Sequence, residues 1–203
     1  MGKNIEMLKT FRKVMTNDDN EIIKVIPDMY CKDFYSIDED YLLSMGINNL
    51  IIDIDGTILP ADSIDVPKEL IDRINVLKEK NINMCLVSNN GEKRVLPVAK
   101  ILEVKYLYDA KKPLSIAYDN SLIKLNINNK SNVAMVGDQM LTDVKGANEY
   151  GIYSILVNPI SKHQNIQTGT QKILQEIMVK NLKKKNLFNK EKYYNKNINS
   201  TKS

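Results

Sequence analysis

Short runs of consecutive apolar residues alternate along the chain with segments in which apolar residues recur every three or four positions. Runs of the first kind are typical of strands buried on both faces of a parallel sheet, and segments of the second kind are typical of amphipathic helices. The runs predict strands at residues 50–52, 84–87, 106–108, 133–136 and 153–157. The helical segments are 67–77, 92–102, 113–125, 142–150 and one around 173–178. This alternation predicts an α/β fold with three layers, in which helices cover both faces of a parallel sheet.

The chain divides by pattern and composition into three parts. Residues 1–46 precede the alternation, and acids ahead of an apolar cluster predict one short helix there, closed by Gly46. We expect this part to be an extension packed on a core domain of residues 47–180. Residues 181–203 are rich in lysine and asparagine, which predicts a disordered tail.

The lysines of the tail depart from the composition of an ordinary domain. The whole chain has a formal net charge of +4, yet from Lys180 onward eight lysines accompany a single acid, Glu191. One interpretation is a bias of the whole sequence, because lysine, asparagine and isoleucine are abundant throughout. The other is a peripheral contact with an anionic membrane or with nucleic acid, since each lysine near an acidic membrane surface contributes about 1 kcal/mol.

Histidine and cysteine usage excludes several kinds of site. His163 is the only histidine, so a His-rich zinc site is excluded and only one base is available for a Ser–His or Cys–His mechanism. Cys31 and Cys85 are far apart without a metal-binding spacing, which favours free thiols in a reducing compartment. No stretch approaches the ~20 apolar residues of a transmembrane helix. We therefore expect a cytoplasmic protein, at most peripheral at the membrane.

Polar residues suited to catalysis stand where the predicted strands end. Asp53 and Asp55 follow the first strand, Ser88 the second, and Asp138 the fourth, while Lys112 stands just before a helix. Each of these alone is typical of a turn, a helix cap or a surface charge. Loops at the carboxyl ends of parallel strands converge on one crevice, however, so their joint order predicts a single site.

The residue types fit phosphoryl transfer assisted by Mg²⁺. Asp53, Asp55 and Asp138 supply hard oxygen ligands for the ion, Asp55 through its main-chain carbonyl. One Asp oxygen can attack phosphorus, and a second Asp two residues later can protonate the leaving oxygen and then activate water. Lys112 and Ser88 are expected to bind the phosphoryl oxygens. Two neighbours extend this phosphate site, Gly56 and Asn89, and two more are expected to support it, Thr57 and Asp143.

The same segments resemble the motifs of the haloacid dehalogenase superfamily, and in particular its subfamily IIIA phosphatases. The similar segments are 53–57 (DIDGT), 87–89 (VSN), 112–113 (KP) and 136–138 (VGD) with Asp143. A closer resemblance is to the bacterial YqeG group and to mitochondrial phosphatidylglycerophosphate phosphatases. It rests on segments 27–30 (PDMY), 88–90 (SNN), 110–113 (AKKP) and 137–139 (GDQ), with 142–143 (TD).

The resemblance implies a magnesium-dependent phosphomonoester hydrolase with a Rossmann-like fold. It implies that Asp53 is the nucleophile, that Asp55 is the acid–base residue, and that both join Asp138 in holding Mg²⁺. Asp55 argues against dehalogenation, because a halide leaving group needs no proton. The implied substrate is phosphatidylglycerophosphate, a lipid whose dephosphorylation yields phosphatidylglycerol.

The spacing of the motifs leaves no room for a cap domain. Between Asp55 and Ser88 there is space for only a loop and one helix. An open site suits a phosphate on a large substrate, either a phospholipid headgroup or, alternatively, a phosphoprotein, nucleotide or nucleic acid. Apolar residues of the N-terminal region could contact lipid or pack in the core: Met29, Tyr30, Phe34 and Tyr35.

Two alternatives come from other classes of protein. A phosphorelay receiver domain also combines acids, a hydroxyl and a lysine on a parallel sheet, but its acceptor Asp follows the third strand. The other is a non-catalytic protein of the same fold that binds ribosomes or nucleic acid. The complete set of Asp53, Asp55, Lys112 and Asp138 favours the enzyme.

Overall fold

A six-stranded sheet with all neighbouring strands parallel forms the centre of the molecule. The computed structural model describes residues 2–160 and 166–190, with side chains described for 7–160 and 173–190. The strands are β1 (Met29–Cys31), β2 (Asn49–Ile52), β3 (Asn83–Val87), β4 (Lys105–Leu107), β5 (Val133–Gly137) and β6 (Tyr153–Val157). They lie in the order β1-β6-β5-β2-β3-β4. The predicted α/β class is confirmed.

Eight α-helices surround the sheet within the described residues. They are α1 (Gly2–Met15), α2 (Asp19–Val25), α3 (Glu39–Ser44), α4 (Lys68–Glu79), α5 (Glu92–Leu102), α6 (Ser115–Leu125), α7 (Lys145–Tyr150) and α8 (Ile166–Lys184). A π-helical turn, Met140–Val144, leads into α7. Measured by length and hydropathy, no helix of this set could cross a membrane.

The central strand shows why helices cover both faces. Leu50 and Ile52 belong to a core shared with α3, α4 and α5. Ile51, between them, belongs to a core shared with α6 and α7 on the opposite face, because successive side chains of a strand point to opposite sides. Near β1 and β6, helices α1, α2 and α8 complete this second layer.

The N-terminal region differs from an extension laid on a finished core. Its strand β1 pairs with β6, so the region supplies one edge of the sheet itself. Asp28 and Ser154 fix this pairing, because the Asp28 carboxylate accepts from the Ser154 amide at 2.8 Å and the Ser154 hydroxyl accepts from the Asp28 amide at 3.0 Å. The pattern of apolar runs did not predict this strand.

The same pairing decides between lipid contact and core packing for the apolar residues of this region. Met29, Tyr30 and Phe34 are buried, and Tyr35 packs partly buried against the core. The core-packing alternative is therefore correct, and these side chains are not a lipid-binding surface.

The predicted boundary between the core and a disordered tail at residue 181 is wrong for residues 181–190. Helix α8 continues to Lys184, and Leu182 and Phe188 are both buried. The Phe188 ring meets Tyr30 edge to face, with 6.2 Å between ring centroids. Two apolar side chains among the lysines, Leu182 and Phe188, thus pack this segment on the core. The rest of the predicted tail, 191–203, and His163 lie outside the described residues.

Candidate active site

The predicted site residues gather at the edge of the sheet where β2, β3 and β5 end. Strand β2 pairs with β3 on one side and with β5 on the other, so the residues that follow all three strands are neighbours. The Asp53 amide extends the pairing by donating to the Val136 carbonyl at 2.9 Å. The Ser88 amide likewise donates to the Leu107 carbonyl at 3.1 Å. The side chains form two groups, which we call the inner and the outer cluster.

The inner cluster consists of Asp53, Lys112, Asp138 and Asp143. The Lys112 ammonium lies 2.5 Å from Oδ1 of Asp53 and 2.8 Å from Oδ1 of Asp143, and the lysine side chain is only 2 % exposed. One carboxylate oxygen from each of the three aspartates lies within 4.8 Å of the others. Three carboxylates thus converge, two of them paired with one ammonium, in a site that is closed to most solvent.

Burial and mutual repulsion disturb the protonation of this cluster. Burial raises the pKa of Asp53 to about 7, and although Lys112 opposes the shift, Asp143 adds to it. Burial also raises the pKa of Asp138 well above its ordinary value, with Asp53 the next cause. Burial acts to lower the pKa of Lys112, but Asp143 and Asp53 outweigh it and raise that pKa. A divalent cation fits this donor set, because it would balance the two negative charges that Lys112 leaves uncompensated.

Two glycines allow the carboxylates to approach so closely. Gly56 has a φ of +87°, and a Cβ there would lie 2.5 Å from Oδ2 of Asp138. A Cβ on Gly137 would lie 2.3 Å from Cγ of Asp143. The Gly56 amide, predicted to bind phosphate, instead donates to the Leu59 carbonyl at 2.8 Å. Gly56 therefore makes space for Asp138, and the predicted phosphate contact of the Gly56 region stays a prediction.

The residues predicted to support the site contact the inner cluster. The Thr57 hydroxyl lies 3.2 Å from Oδ2 of Asp53, as a donor. Asp143 stands on the π-helical turn, where its second oxygen accepts from the Gln139 amide at 3.1 Å. Asp143 is also one of the three converging carboxylates that could hold a metal ion. The metal ligands predicted from the sequence did not include Asp143 and instead included the main-chain carbonyl of Asp55.

The outer cluster consists of Asp55, Ser88, Asn90 and Arg94. Oδ2 of Asp55 accepts from the Ser88 hydroxyl at 3.1 Å and from the Asn90 amide group at 2.8 Å. Oδ1 accepts from Nε of Arg94 at 2.7 Å. Ser88, predicted to bind phosphate, therefore orients the carboxylate of Asp55 here.

Asn89 holds the backbone of Lys112. Its amide group donates to the Lys112 carbonyl at 3.1 Å, and its carbonyl oxygen accepts from the Lys112 amide at 2.7 Å. These two bonds place the lysine side chain over the inner cluster. The predicted phosphate contact of Asn89 stays a prediction, and the side chain itself is bonded to the Lys112 backbone.

Sequence reasoning missed Arg94, Asn90 and Gln175. Arg94 stands in the first turn of α5, where a cation opposes the helix dipole. Its position could have indicated a role in the site, because a cation at a helix N-terminus is unfavourable unless an acidic side chain pairs with it. Gln175 of α8 donates to the Asp138 carbonyl at 2.7 Å and accepts from the Met140 amide at 2.8 Å. Nothing in the local sequence marks Gln175.

Both clusters lie at the carboxyl ends of parallel strands, and their residues include the segments that resemble the haloacid dehalogenase motifs. A family model described as mitochondrial PGP phosphatase matches residues 5–161. The chain belongs to that family, and the resemblance seen in its motifs is confirmed.

A bacterial relative is similar over most of its length. The "Probable phosphatase YqeG" of Bacillus subtilis (strain 168) is 29 % identical over 160 residues, which are 79 % of this chain and 92 % of that protein. The chain is an enzyme of the phosphatase class, so the non-catalytic and receiver-domain alternatives are set aside.

Two solved structures resemble the fold at low sequence identity. A 3-deoxy-D-manno-octulosonate 8-phosphate phosphatase from Moraxella catarrhalis, in complex with magnesium, phosphate and KDO, is 22 % identical with a TM-score of 0.43. That match covers 72 % of this chain and 92 % of the other. A cobalt-bound deoxy-D-mannose-octulosonate 8-phosphate phosphatase from Haemophilus influenzae is 13 % identical with a TM-score of 0.44, covering 68 % and 86 %.

Proposed function

We propose that this protein is a magnesium-dependent phosphomonoester hydrolase that forms an aspartyl-phosphate on Asp53. The observation that carries the proposal is the inner cluster, in which Asp53 meets Asp138 and Asp143 around one buried lysine. Such a concentration of buried negative charge is unfavourable in a purely structural role. It is useful where a cation and a phosphate must bind together.

The residues of the chain account for both steps of the reaction. Lys112 and Thr57 hold the Asp53 carboxylate while one of its oxygens attacks phosphorus and the bond to the leaving oxygen breaks. Asp55 gives its proton to that leaving oxygen. Asp55 then takes a proton from water as the water attacks the aspartyl-phosphate, which releases phosphate and restores Asp53.

The carboxylates of Asp53, Asp138 and Asp143 would hold Mg²⁺, with the main-chain carbonyl of Asp55 as the further ligand expected from the sequence. A bound Mg²⁺ supplies charge that offsets the repulsion between carboxylates and phosphate and polarises the phosphoryl group. Lys112 is placed to contribute a second positive charge at the same point.

A test of the reaction compares the wild-type protein with Asp53→Asn. We expect phosphate release from a phosphomonoester in the presence of Mg²⁺, none after chelation, and none from the variant. Acid quenching during turnover should trap phosphate on the wild-type chain alone, on the peptide that contains Asp53. Turnover by Asp53→Asn at the wild-type rate would refute the proposal.

We propose phosphatidylglycerophosphate as the substrate. The family description supports a lipid of this kind, and so does a groove of about 690 Å³ that adjoins Lys112 and Asn89. The groove walls include Met7 of α1 together with Leu114 and Leu141, so an aliphatic chain is a better occupant than a sugar. Lys111 at the same groove can contact a second phosphate of the lipid.

Leu114 offers a direct test of the lipid proposal. Leu114 is 59 % exposed in the groove wall, and Ile123, on the helix that follows, is 71 % exposed and does not line the groove. We expect Leu114→Glu to lower kcat/KM for phosphatidylglycerophosphate in vesicles about tenfold or more, because a buried leucine contributes about 1.5–3 kcal/mol. Ile123→Glu should have little effect. Both variants should retain turnover of p-nitrophenyl phosphate.

Equal effects of the two substitutions would argue against the groove as a lipid site. A panel of a phosphopeptide, a nucleotide and the lipid, tested with the wild-type protein, then separates the remaining substrate classes. Selective turnover of the phosphopeptide or nucleotide would replace the lipid by the alternative of a capless phosphatase with another large substrate.

The basic C-terminal segment is proposed to bring the enzyme to anionic membrane surfaces. A chain that ends at Lys190 should bind phosphatidylglycerol vesicles more weakly than the full chain in a flotation assay. Neither chain should bind phosphatidylcholine vesicles, which lack net negative charge. Equal binding of both chains to the anionic vesicles would assign Lys192, Lys196 and Lys202 to compositional bias.

A further inference from the structure

Arg94 connects the outer cluster to the loop that follows β2. Its Nε donates to Oδ1 of Asp55 at 2.7 Å, and Nη2 donates to the Pro60 carbonyl at 3.0 Å. Nη1 donates to the Ser63 carbonyl. The side chain is only 13 % exposed, so these bonds are shielded from most of the solvent. A planar guanidinium with three protein partners has a fixed orientation.

The two carboxylate oxygens of Asp55 accept different numbers of hydrogen bonds. A carboxylate offers about four acceptor sites, two on each oxygen. Ser88 and Asn90 both donate to Oδ2, whereas Arg94 alone donates to Oδ1. The acceptor site left open by these donors is therefore on Oδ1, beside the guanidinium.

The geometry points to Arg94 as a positioning residue that presents Oδ1 of Asp55 to the leaving oxygen of the substrate. This inference rests on the proposed acid–base role of Asp55. In the first step Oδ1 gives its proton to the leaving oxygen, and the resulting carboxylate is met by the guanidinium charge. In the second step the same oxygen takes a proton from water. Arg94 also holds the loop at Pro60 and Ser63, so loop and carboxylate keep one relative position.

Substrates with different leaving groups distinguish a positioning role from a merely structural one. A structural defect should lower kcat/KM for all substrates by the same factor. Benzyl phosphate releases an alkoxide that needs a proton, whereas p-nitrophenyl phosphate releases a stable phenolate. Because kcat/KM reports the first step only, it isolates proton donation from the later attack of water. General acid catalysis contributes about 10²- to 10⁴-fold. We expect Arg94→Met to lower kcat/KM about 100-fold for benzyl phosphate and less than about 5-fold for p-nitrophenyl phosphate.

Arg73 provides a matched control on the neighbouring helix α4. Its side chain is 12 % exposed, and it too pairs with a carboxylate, Glu39 at 2.7 Å, and donates to a main-chain carbonyl, that of Ile37. Neither partner belongs to the site. Arg73→Met should lower the thermal stability about as much as Arg94→Met, but it should change kcat/KM for the two substrates by the same factor.

A second variant keeps the test valid if Arg94→Met does not fold. Arg94→Lys retains the charge but cannot reproduce the three bonds, so we expect a selective loss for benzyl phosphate of about 10-fold. Equal losses for both substrates in the Arg94 variants, or a selective loss in Arg73→Met, would overturn the inference.

Asp55→Asn separates failure of this inference from failure of the proposed function. If Asp55→Asn shows no selective loss for benzyl phosphate, the proposed acid–base role is wrong. If Asp55→Asn is selective and the Arg94 variants are not, only the positioning role of Arg94 is wrong. When both are right, Arg94→Lys combined with Asp55→Asn should lose no more than Asp55→Asn alone, because the two residues act as a unit.

Discussion

The inner and outer clusters each centre on an aspartate from the same short loop, yet they stabilise it in opposite ways. Asp53 shares one ammonium with Asp143 and lies close to a third carboxylate, that of Asp138, and its side chain is 8 % exposed. Asp55 is 14 % exposed and is surrounded by three donors, one of them a guanidinium. The inner cluster has too few positive charges as it stands, whereas the outer cluster is already satisfied. The inner cluster therefore favours protons or a cation as a partner, whereas the hydrogen bonds of the outer cluster orient Asp55.

The largest expected effect comes from removing the nucleophile of the inner cluster. Asp53→Asn should reduce phosphate release at least about 10⁴-fold, because an essential nucleophile has no substitute in the site. In the absence of metal, the variant should be at least as stable as the wild type, since one of three repelling carboxylates is gone. Phosphate release and thermal unfolding of both proteins check the two expectations. A variant that is inactive because it is unfolded would contradict the second.

Removing the only ammonium should break the inner cluster. Lys112→Met leaves Asp53 and Asp143 buried without their shared partner, and we expect the metal-free protein to lose about 3–5 kcal/mol of unfolding free energy. Activity should fall about 10²- to 10³-fold. Lys145→Met is a control, because Lys145 is also buried but pairs with Glu149, which is 35 % exposed. Urea unfolding should show a much smaller loss for this control.

The pH dependence of metal binding separates the two clusters. The pKa of Asp53 rises from an ordinary value of 3.8 to about 7 in the fold, so the folded state binds this proton more tightly than the unfolded state. This contributes stability below pH 4 that is lost as the pH rises to about 7. We expect metal-free protein to lose roughly 2–4 kcal/mol over this range from such groups, and Mg²⁺ to stabilise the fold more at pH 8 than at pH 5.5.

Thermal unfolding at the two pH values, with and without Mg²⁺, measures this difference. Asp138→Asn should reduce the stabilisation by Mg²⁺ at pH 8, whereas Asp55→Asn should leave most of it. Equal stabilisation by Mg²⁺ at both pH values would mean that protons and the cation do not compete for the inner cluster.

The smallest effect is expected in the outer cluster, where Asp55 has other donors. Ser88→Ala leaves the bonds from Asn90 and Arg94, so kcat should fall about tenfold or less with KM nearly unchanged. Ser121→Ala is a control, because Ser121 is buried and donates only to the Ala117 carbonyl of its own helix. A large rise in KM for Ser88→Ala alone would instead support the phosphate contact predicted from the sequence.

Residue order was sufficient to predict five of the six strands and the convergence of the acids. The apolar run at residues 50–52, followed by Asp53 and Asp55, predicts a buried strand that ends at a site. Parallel pairing of this strand with β5 brings Asp138 close to the two acids. The partners of these acids could not be predicted in the same way. The path of one loop decides which of Ser88, Asn89 and Asn90 faces Asp55. A pattern of apolar and polar positions cannot distinguish between adjacent polar residues.

The missed elements have a common physical cause. Strand β1 and the contact of Phe188 are held by pairing across long sequence separations, and a local pattern contains no information about such partners. Arg94 was the exception, because its place at the start of α5 is unfavourable without an acid nearby. Charges that oppose a helix dipole are therefore worth checking against candidate catalytic acids.

The hydrogen bonds of Gln175 affect how much of the chain is needed to hold the site. The family match stops at residue 161, yet the side chain that holds the loop between Asp138 and Met140 comes from α8, beyond that limit. A chain trimmed to the shared region would keep every acid of the site and lose the amide that secures one of them. The end of the family match and the end of the structural support of the site therefore differ in this molecule.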